Sequence, residues 1–142
     1  MGKKAMLILA GRQRDESGEE SVTESRAEAE YYEKDGSSYI LYEEASPDGK
    51  APVKNIIKYR DRVLEITRRG GIRSRMIFEA GCTCRSDYVT PYGTLSLEVS
   101  TRKAEIARLQ NRIRIRLDYS LSSEGRFLSD CTLDIDLALP EN

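Results

Sequence analysis

Three thiols, a tandem pair of glutamates and the absence of any imidazole limit the chemistry open to this chain. Cys82-Thr83-Cys84 puts two thiols on one face of an extended segment, and Cys131 adds a third sulfur. Structural zinc takes four ligands, usually cysteines and histidines in pairs, and the chain has no histidine. The cysteines therefore read as small, buried apolar side chains, and no metal site is expected. Lack of histidine also removes Ser-His and Cys-His nucleophilic machinery and the side chain that titrates near neutral pH. Glu43 and Glu44 are adjacent, so on a strand they face opposite ways and cannot work as a carboxylate pair. Gly70-Gly71 lacks the lysine of a phosphate loop and the strand-to-helix setting of a dinucleotide fingerprint, and reads as a hairpin turn. Neither a catalytic residue nor a cofactor is expected.

The elements that would carry these residues repeat with period two. Leu95, Leu97 and Val99 alternate with Thr94, Ser96, Glu98 and Ser100. In RIRIRLDY, Arg112, Arg114, Arg116 and Asp118 share one face, and Ile113, Ile115, Leu117 and Tyr119 the other. TLDIDLAL sets Leu133, Ile135, Leu137 and Leu139 against Thr132, Asp134, Asp136 and Ala138. These two segments should pair, apolar against apolar. A three-residue loop with Gly125 left-handed predicts Ser122 opposite Arg126, and hence Arg114 opposite Asp134, Arg112 opposite Asp136, Ile113 opposite Ile135 and Ile115 opposite Leu133. The same reasoning around Arg69-Gly70-Gly71 sets Glu65 opposite Arg75 and Leu64 opposite Met76.

Asp35-Gly36 and Arg60-Asp61 mark further hairpins, and SPDGKAP, Ser46 to Pro52, is a loop. Thr90-Pro91-Tyr92-Gly93 has the residues of a tight turn, since proline fixes one backbone angle and glycine accepts an unusual one. SVTESRAEAEYYEK opens with a capping-box pattern, Ser21 with Glu24, yet has no apolar stripe at helical spacing. It reads as a strand with Ser25, Ala27, Ala29 and Tyr31 inward and Glu24, Arg26, Glu28 and Glu30 outward. STRKAEIARLQN stays open between strand and a short helical turn, because Ile106, Leu109 and Ile113 fall at helical steps. A meander of short antiparallel strands points to a sandwich or a closed barrel.

A chain of 142 residues fits one domain, 1–142, able to bury about two-thirds of its unfolded surface. The net charge is −1, so no overall pull toward nucleic acid or anionic lipid exists. From Lys50 to Arg116, however, 16 lysines and arginines face 6 carboxylates, and the flanks are correspondingly acidic. If the fold closes on itself, opposite charges meet. Lys3-Lys4 and the apolar run after them mimic the start of a signal peptide, but Arg12 ends that run early. No apolar run approaches the roughly 20 residues of a membrane-spanning helix, and a cytoplasmic protein with reduced thiols is expected.

The ordered series AEAEYYEKDGSSYILYEE, VKNIIKY, VLEITRRGGIRSRMIFEAG, YVTPYGTLSLEVSTRK and IRIRLDYSL resembles DUF1934, a YwiB-like family of bacterial proteins. The resemblance covers roughly residues 5 to 139. It is carried by Tyr42-Glu43-Glu44, Arg68 with Gly70, Phe78 with Gly81, Thr90-Pro91-Tyr92-Gly93, Thr101 and Tyr119. It implies an all-β fold, an antiparallel meander closed into a calycin-like, lipocalin-like β-barrel of about eight to ten strands, with no established activity. The cysteines and the arginine-rich strand depart from the family pattern, and neither is a family site.

In a barrel, inward side-chain size decides between a filled interior and a cavity. Ser25, Ala27 and Ala29 would leave room; Leu64, Met76, Phe78, Leu95, Leu97 and Ile113 would fill it. Tyr42, Glu44, Lys58, Arg68, Tyr92 and Thr101 are the polar candidates for a ligand site, and an internal arginine-glutamate pair would point to function. The leading expectation is a non-catalytic barrel binding a small anionic or amphipathic molecule. The alternative is an interaction module that uses an exposed sheet face to form a homodimer or engage a protein or RNA. An enzyme built from Glu, Arg, Lys and Tyr alone comes third.

Overall fold

The computed structural model describes residues 2–46, 49 and 51–140, and among these it contains strands and turns but no helix. The strands are β1 (Lys3–Asp15), β2 (Glu20–Lys34), β3 (Ser37–Glu44), β4 (Val53–Arg60), β5 (Val63–Arg69), β6 (Ser74–Glu79), β7 (Thr83–Thr90), β8 (Gly93–Leu109), β9 (Arg112–Ser123) and β10 (Arg126–Ala138). All ladders are antiparallel, in the order β6-β5-β4-β3-β2-β1-β10-β9-β8-β7. Only β1 and β10 pair out of sequence, and that pairing rolls the meander round. The outer strands then meet at a seam of one bridge, where Arg73 and Val89 exchange backbone hydrogen bonds of 2.9 and 2.8 Å. The result is a nearly closed, all-β barrel.

Alternation places Leu7, Ile40, Ile57, Leu64, Phe78, Val99, Ile113, Ile115, Leu117, Ile135 and Leu137 in one buried core. Each such side chain contributes about 1.5–3 kcal/mol on burial. In β9 and β10 a slip of one residue would replace Ile113, Ile115, Ile135 or Leu137 with a charged neighbour, which fixes the phase of those strands. In β2, Ala27, Ala29 and Tyr31 turn inward while Glu24, Arg26, Glu28 and Glu30 are exposed, so burial overrides helix propensity there. The strands are longer than the short ones expected: β8 has 17 residues and β2 has 15.

STRKAEIARLQN is strand to Leu109, followed by a turn, and contains no helical turn. The register shifts between Thr101 and Lys103, so inward positions change from odd (Leu97, Val99, Thr101) to even (Ala104, Ile106). The helical steps Ile106, Leu109 and Ile113 instead join an inward residue of β8, an exposed one at its end and a core residue of β9. The extra residue, Arg102, points out and forks onto Asp118 at 2.6 Å and Asp130 at 3.2 Å.

Two registers differ from expectation. The β9–β10 hairpin turns on two residues, Glu124 (φ 51°) and Gly125 (φ 77°), pairing Ser123 with Arg126. A bulge at Leu128 then restores even parity, so Ile115 faces Ile135, Ile113 faces Leu137, Arg116 faces Asp134 and Arg114 faces Asp136. Apolar still meets apolar, two residues along from the expected partners. Between β5 and β6 the loop is longer than three residues: Arg68 pairs with Ser74, Leu64 with Phe78 and Glu65 with Ile77. Arg75 still reaches Glu65 diagonally, at 2.7 Å.

The Asp35-Gly36 hairpin stands as expected, and the fourth turn lies one residue on, at Asp61-Arg62. Of the SPDGKAP loop, Pro47, Asp48 and Lys50 lie outside the described residues, and Ser46, Gly49, Ala51 and Pro52 are not in strands. Leu95, expected to fill the interior, is 45% exposed near the Pro91-Tyr92 hairpin tip.

Candidate functional site

Inward-facing residues of β3, β4, β5 and β6 line up in rungs because each faces its neighbour directly across the ladder. The lowest rung is Ser38, Tyr59, Leu64 and Phe78; above it lie Ile40, Ile57, Ile66 and Met76. The next one is polar throughout: Tyr42, Asn55, Arg68 and Ser74. Phe78 meets Tyr119 of β9 edge-on, with ring centroids 4.9 Å apart, and this contact floors the lumen. Above the floor a cavity of about 320 Å³ remains, walled by the polar rung and by Ile57, Ile66, Met76, Tyr88 and Leu133. Its opposite wall is low because β1 and β2 supply Gly11, Thr23 and Ser25. Of Ser25, Ala27 and Ala29, the small residues expected to leave room, Ser25 borders this cavity, whereas Ala27 and Ala29 do not.

Arg68 extends from the rung to Glu44, Nη2 to Oε1 at 3.2 Å, and both side chains are partly exposed. Asn55 is 1% exposed; its Nδ2 donates to the Val53 carbonyl at 3.4 Å. Burial first, and the Glu44 carboxylate second, push the Tyr42 phenol up to about 12, with Arg68 opposing. Burial likewise raises Tyr119. Both phenols therefore stay protonated and can donate.

Of the six residues singled out from sequence, Tyr42, Glu44 and Arg68 converge on the lumen. Lys58 does not: it lies on the outer face, its ammonium 5.7 Å from the centroid of Tyr39. Tyr92 is fully exposed at the tip of the β7–β8 turn, where its N–H donates to Thr90 Oγ1 at 3.1 Å. Thr90-Pro91-Tyr92-Gly93 is thus a corner of the sheet. Thr101 is buried beside the bulge, its N–H donating to the Cys82 carbonyl at 3.1 Å, and does not border the cavity.

Asn55 and Ser74 were missed from sequence. Asn55 was legible, since it interrupts the inward series Val53, Asn55, Ile57 with an amide; Ser74 depended on a register that the sequence did not reveal. Cys131 is buried as expected, whereas Cys84 is half-buried and Cys82 exposed in the turn before β7. Desolvation and Glu79 hold the Cys82 thiol up, and burial does the same for Cys131, so neither is an activated nucleophile.

β2 pairs with β3 only from Ala29 to Lys34, so its segment Glu20 to Glu28 has no ladder partner on that side. An open cleft follows the parting, lined by Lys4, Met6, Arg26, Leu41, Lys54 and Ile56 among others. Tyr42 and Asn55 border both the cleft and the lumen, forming the partition between them.

The chain matches a described family over residues 8–135: domain of unknown function DUF1934. The chain belongs to the DUF1934 family. A family relative, the uncharacterized beta-barrel protein YwiB of Bacillus subtilis (strain 168), is 27% identical over 121 residues, covering 84% of each chain. The crystal structure of the ywiB protein from Bacillus subtilis superposes with a TM-score of 0.87 at 22% identity, covering 99% of this chain and 94% of that one. The ten-stranded barrel is therefore the architecture that this DUF1934 chain shares with a solved structure.

Proposed function

We propose that this barrel holds a small amphipathic molecule in its lumen without transforming it. The supporting observation is the unbroken polar rung Tyr42, Asn55, Arg68 and Ser74, set directly above the apolar rung Ile40, Ile57, Ile66 and Met76 and facing a 320 Å³ space. A cavity of this size lies at the small end of ligand pockets, about 300–1,000 Å³, and apolar walls with a few convergent polar groups are the usual composition. Catalysis is disfavoured because Glu44 is the single carboxylate bordering the lumen among the described residues, and Arg68 holds it. Native mass spectrometry of protein purified from its own host is the direct test. A retained small molecule, lost on Ile66→Trp, supports the reading; bare protein that also fails to take up an environment-sensitive apolar dye sinks it.

A second reading, association of two copies by sheet extension, is favoured by the unpartnered edge of β2 from Glu20 to Glu28. Light scattering decides it: a mass of 16.1 kDa independent of concentration rejects the dimer. Recognition of RNA gains little support from the arginine row, since Arg112, Arg114 and Arg116 each lie within 3.7 Å of Asp136 or Asp134.

A further inference from the structure

The open edge of β2 carries a charge order that nothing in the barrel answers. Outward side chains of the unpaired stretch are Glu20, Val22, Glu24, Arg26 and Glu28. Glu20 meets Arg14 at 3.4 Å, but Glu24, Arg26 and Glu28 enter no ion pair among the described residues. Across the β1 ladder these three face Ala10, Ile8 and Met6, so no charge meets them from that side. On the other side Arg26 and Glu28 border the open cleft, whose far wall offers Leu41 and Ile56. The inward row of the same stretch, Thr23, Ser25 and Ala27, is small and uncharged. Sheet edges are commonly blocked by a proline, a bulge or an inward-pointing charge. Glu20 to Glu28 has none of these, and the β1–β2 register runs through it residue by residue. Outward charge is the one guard left, and charge selects by sign.

An added strand would take up the free backbone groups of this edge, and its side chains would alternate as those of β2 do. Facing residues stand about 4.5–5.5 Å apart at Cβ, close enough for opposite charges to pair and like charges to repel. Residues facing Glu28, Arg26 and Glu24 are therefore selected as basic, acidic and basic. The residues between them face Ala27 and Ser25, whose small side chains leave room for larger apolar ones. A second copy of the edge would bring the order glutamate, arginine, glutamate, which in no register answers all three positions together. Beyond the luminal molecule and the paired copies considered above, we propose that the β2 edge takes up an extended segment of another protein as an additional strand. That segment alternates apolar residues with an outward row running basic, acidic, basic, and it follows the course β3 abandons after Tyr42, antiparallel to β2. Arg26 is the residue that separates this order from a plain run of lysines.

Two labelled peptides that differ at one position test this directly: Lys-Val-Glu-Val-Lys-Val-Thr-Val-Lys, and the same peptide with lysine in place of its glutamate. Each is titrated into the full chain at about 0.15 M salt, where charges beyond contact range are largely screened. Affinity is read by fluorescence anisotropy and location by NMR shifts of the β2 amides. The glutamate peptide should bind roughly threefold or more tightly than the all-lysine one, because a single facing pair changes from attraction to repulsion. In Arg26→Glu the order of the two peptides should invert. Should that variant lose its sheet signature in circular dichroism, Arg26→Gln replaces it, and there the two should bind within about twofold of each other. Tighter binding of the all-lysine peptide to the unaltered protein overturns the inference, as does a preference unchanged in a folded Arg26 variant. Binding of neither peptide overturns it as well, and so do shifts that leave the amides of Glu20 to Glu28 unmoved. A dimer that excludes both peptides overturns it in favour of the second copy.

Discussion

Tyr42 shows how the site's composition is written into its acid-base behaviour. Burial and Glu44 both oppose a phenolate, raising this phenol from 10.0 to about 12. Below pH 10 the folded and unfolded chains both keep the proton, and the raised value contributes its full stabilising effect. Between 10 and about 12 the unfolded chain releases the proton first, so stability falls as the pH climbs. Tyr42→Phe should therefore lose less stability than the unaltered protein when urea unfolding is compared at pH 8 and pH 11. Part of the alkaline loss will remain, since Tyr31 and Tyr119 are raised as well. Equal losses in the two proteins would show that the Tyr42 phenol is not held in this environment. Tyr42, Glu44 and Arg68 were legible as lumen-facing residues because polar side chains at inward positions stand out against alternation. Tyr92 and Lys58 misled for a simple reason: residue type says nothing of which side of the wall a side chain occupies when the turn or phase is uncertain.

Hairpins show where sequence reading succeeds and where it stops. Asp35-Gly36 was readable because both residues tolerate left-handed backbone, and both adopt it, at φ 52° and 81°. Glu124 takes the same conformation at φ 51°, a choice rare enough for glutamate that a longer loop was the natural inference. The bulges at Leu128 and Arg102 carry no composition signal, yet each moves a register. Parity survived because the apolar and charged faces of β9 and β10 permit only even shifts once the bulge is counted. Gly125→Ala, at φ 77° with open space around the added methyl, should destabilise by about 1 kcal/mol through backbone strain alone. A neutral result in thermal unfolding would show that the turn relaxes at no cost. Asp136→Ala removes the carboxylate that forms ion pairs with Arg112 and Arg114, at 3.2 and 3.7 Å. These guanidinium groups are about half exposed, so the loss should stay below about 1 kcal/mol and shrink in high salt. A larger, salt-insensitive loss would mean that the ladder, and not merely the apolar face behind it, holds this register.

At the scale of the molecule, closure was the least legible feature, because it rests on β1 pairing with β10 across nearly the whole chain and on one backbone bridge at Arg73 and Val89. The latter is two hydrogen bonds between otherwise separate strand ends, with no side-chain pattern to announce it. Hydrogen exchange should find the seam: amides of Arg73 and Val89 are expected to exchange on the order of a hundredfold or more faster than those of Ile115 and Leu117 in the core. Equal protection would make the seam part of the same cooperative unit as β9. The stretch of β2 from Glu20 to Glu28 has a different consequence. A bare backbone margin is a place where a stray, sticky polypeptide can knit itself on. Here four ionised side chains, Glu20, Glu24, Arg26 and Glu28, stand along that margin like fence posts. Charges along an edge of this kind disfavour pairing with an apolar strand.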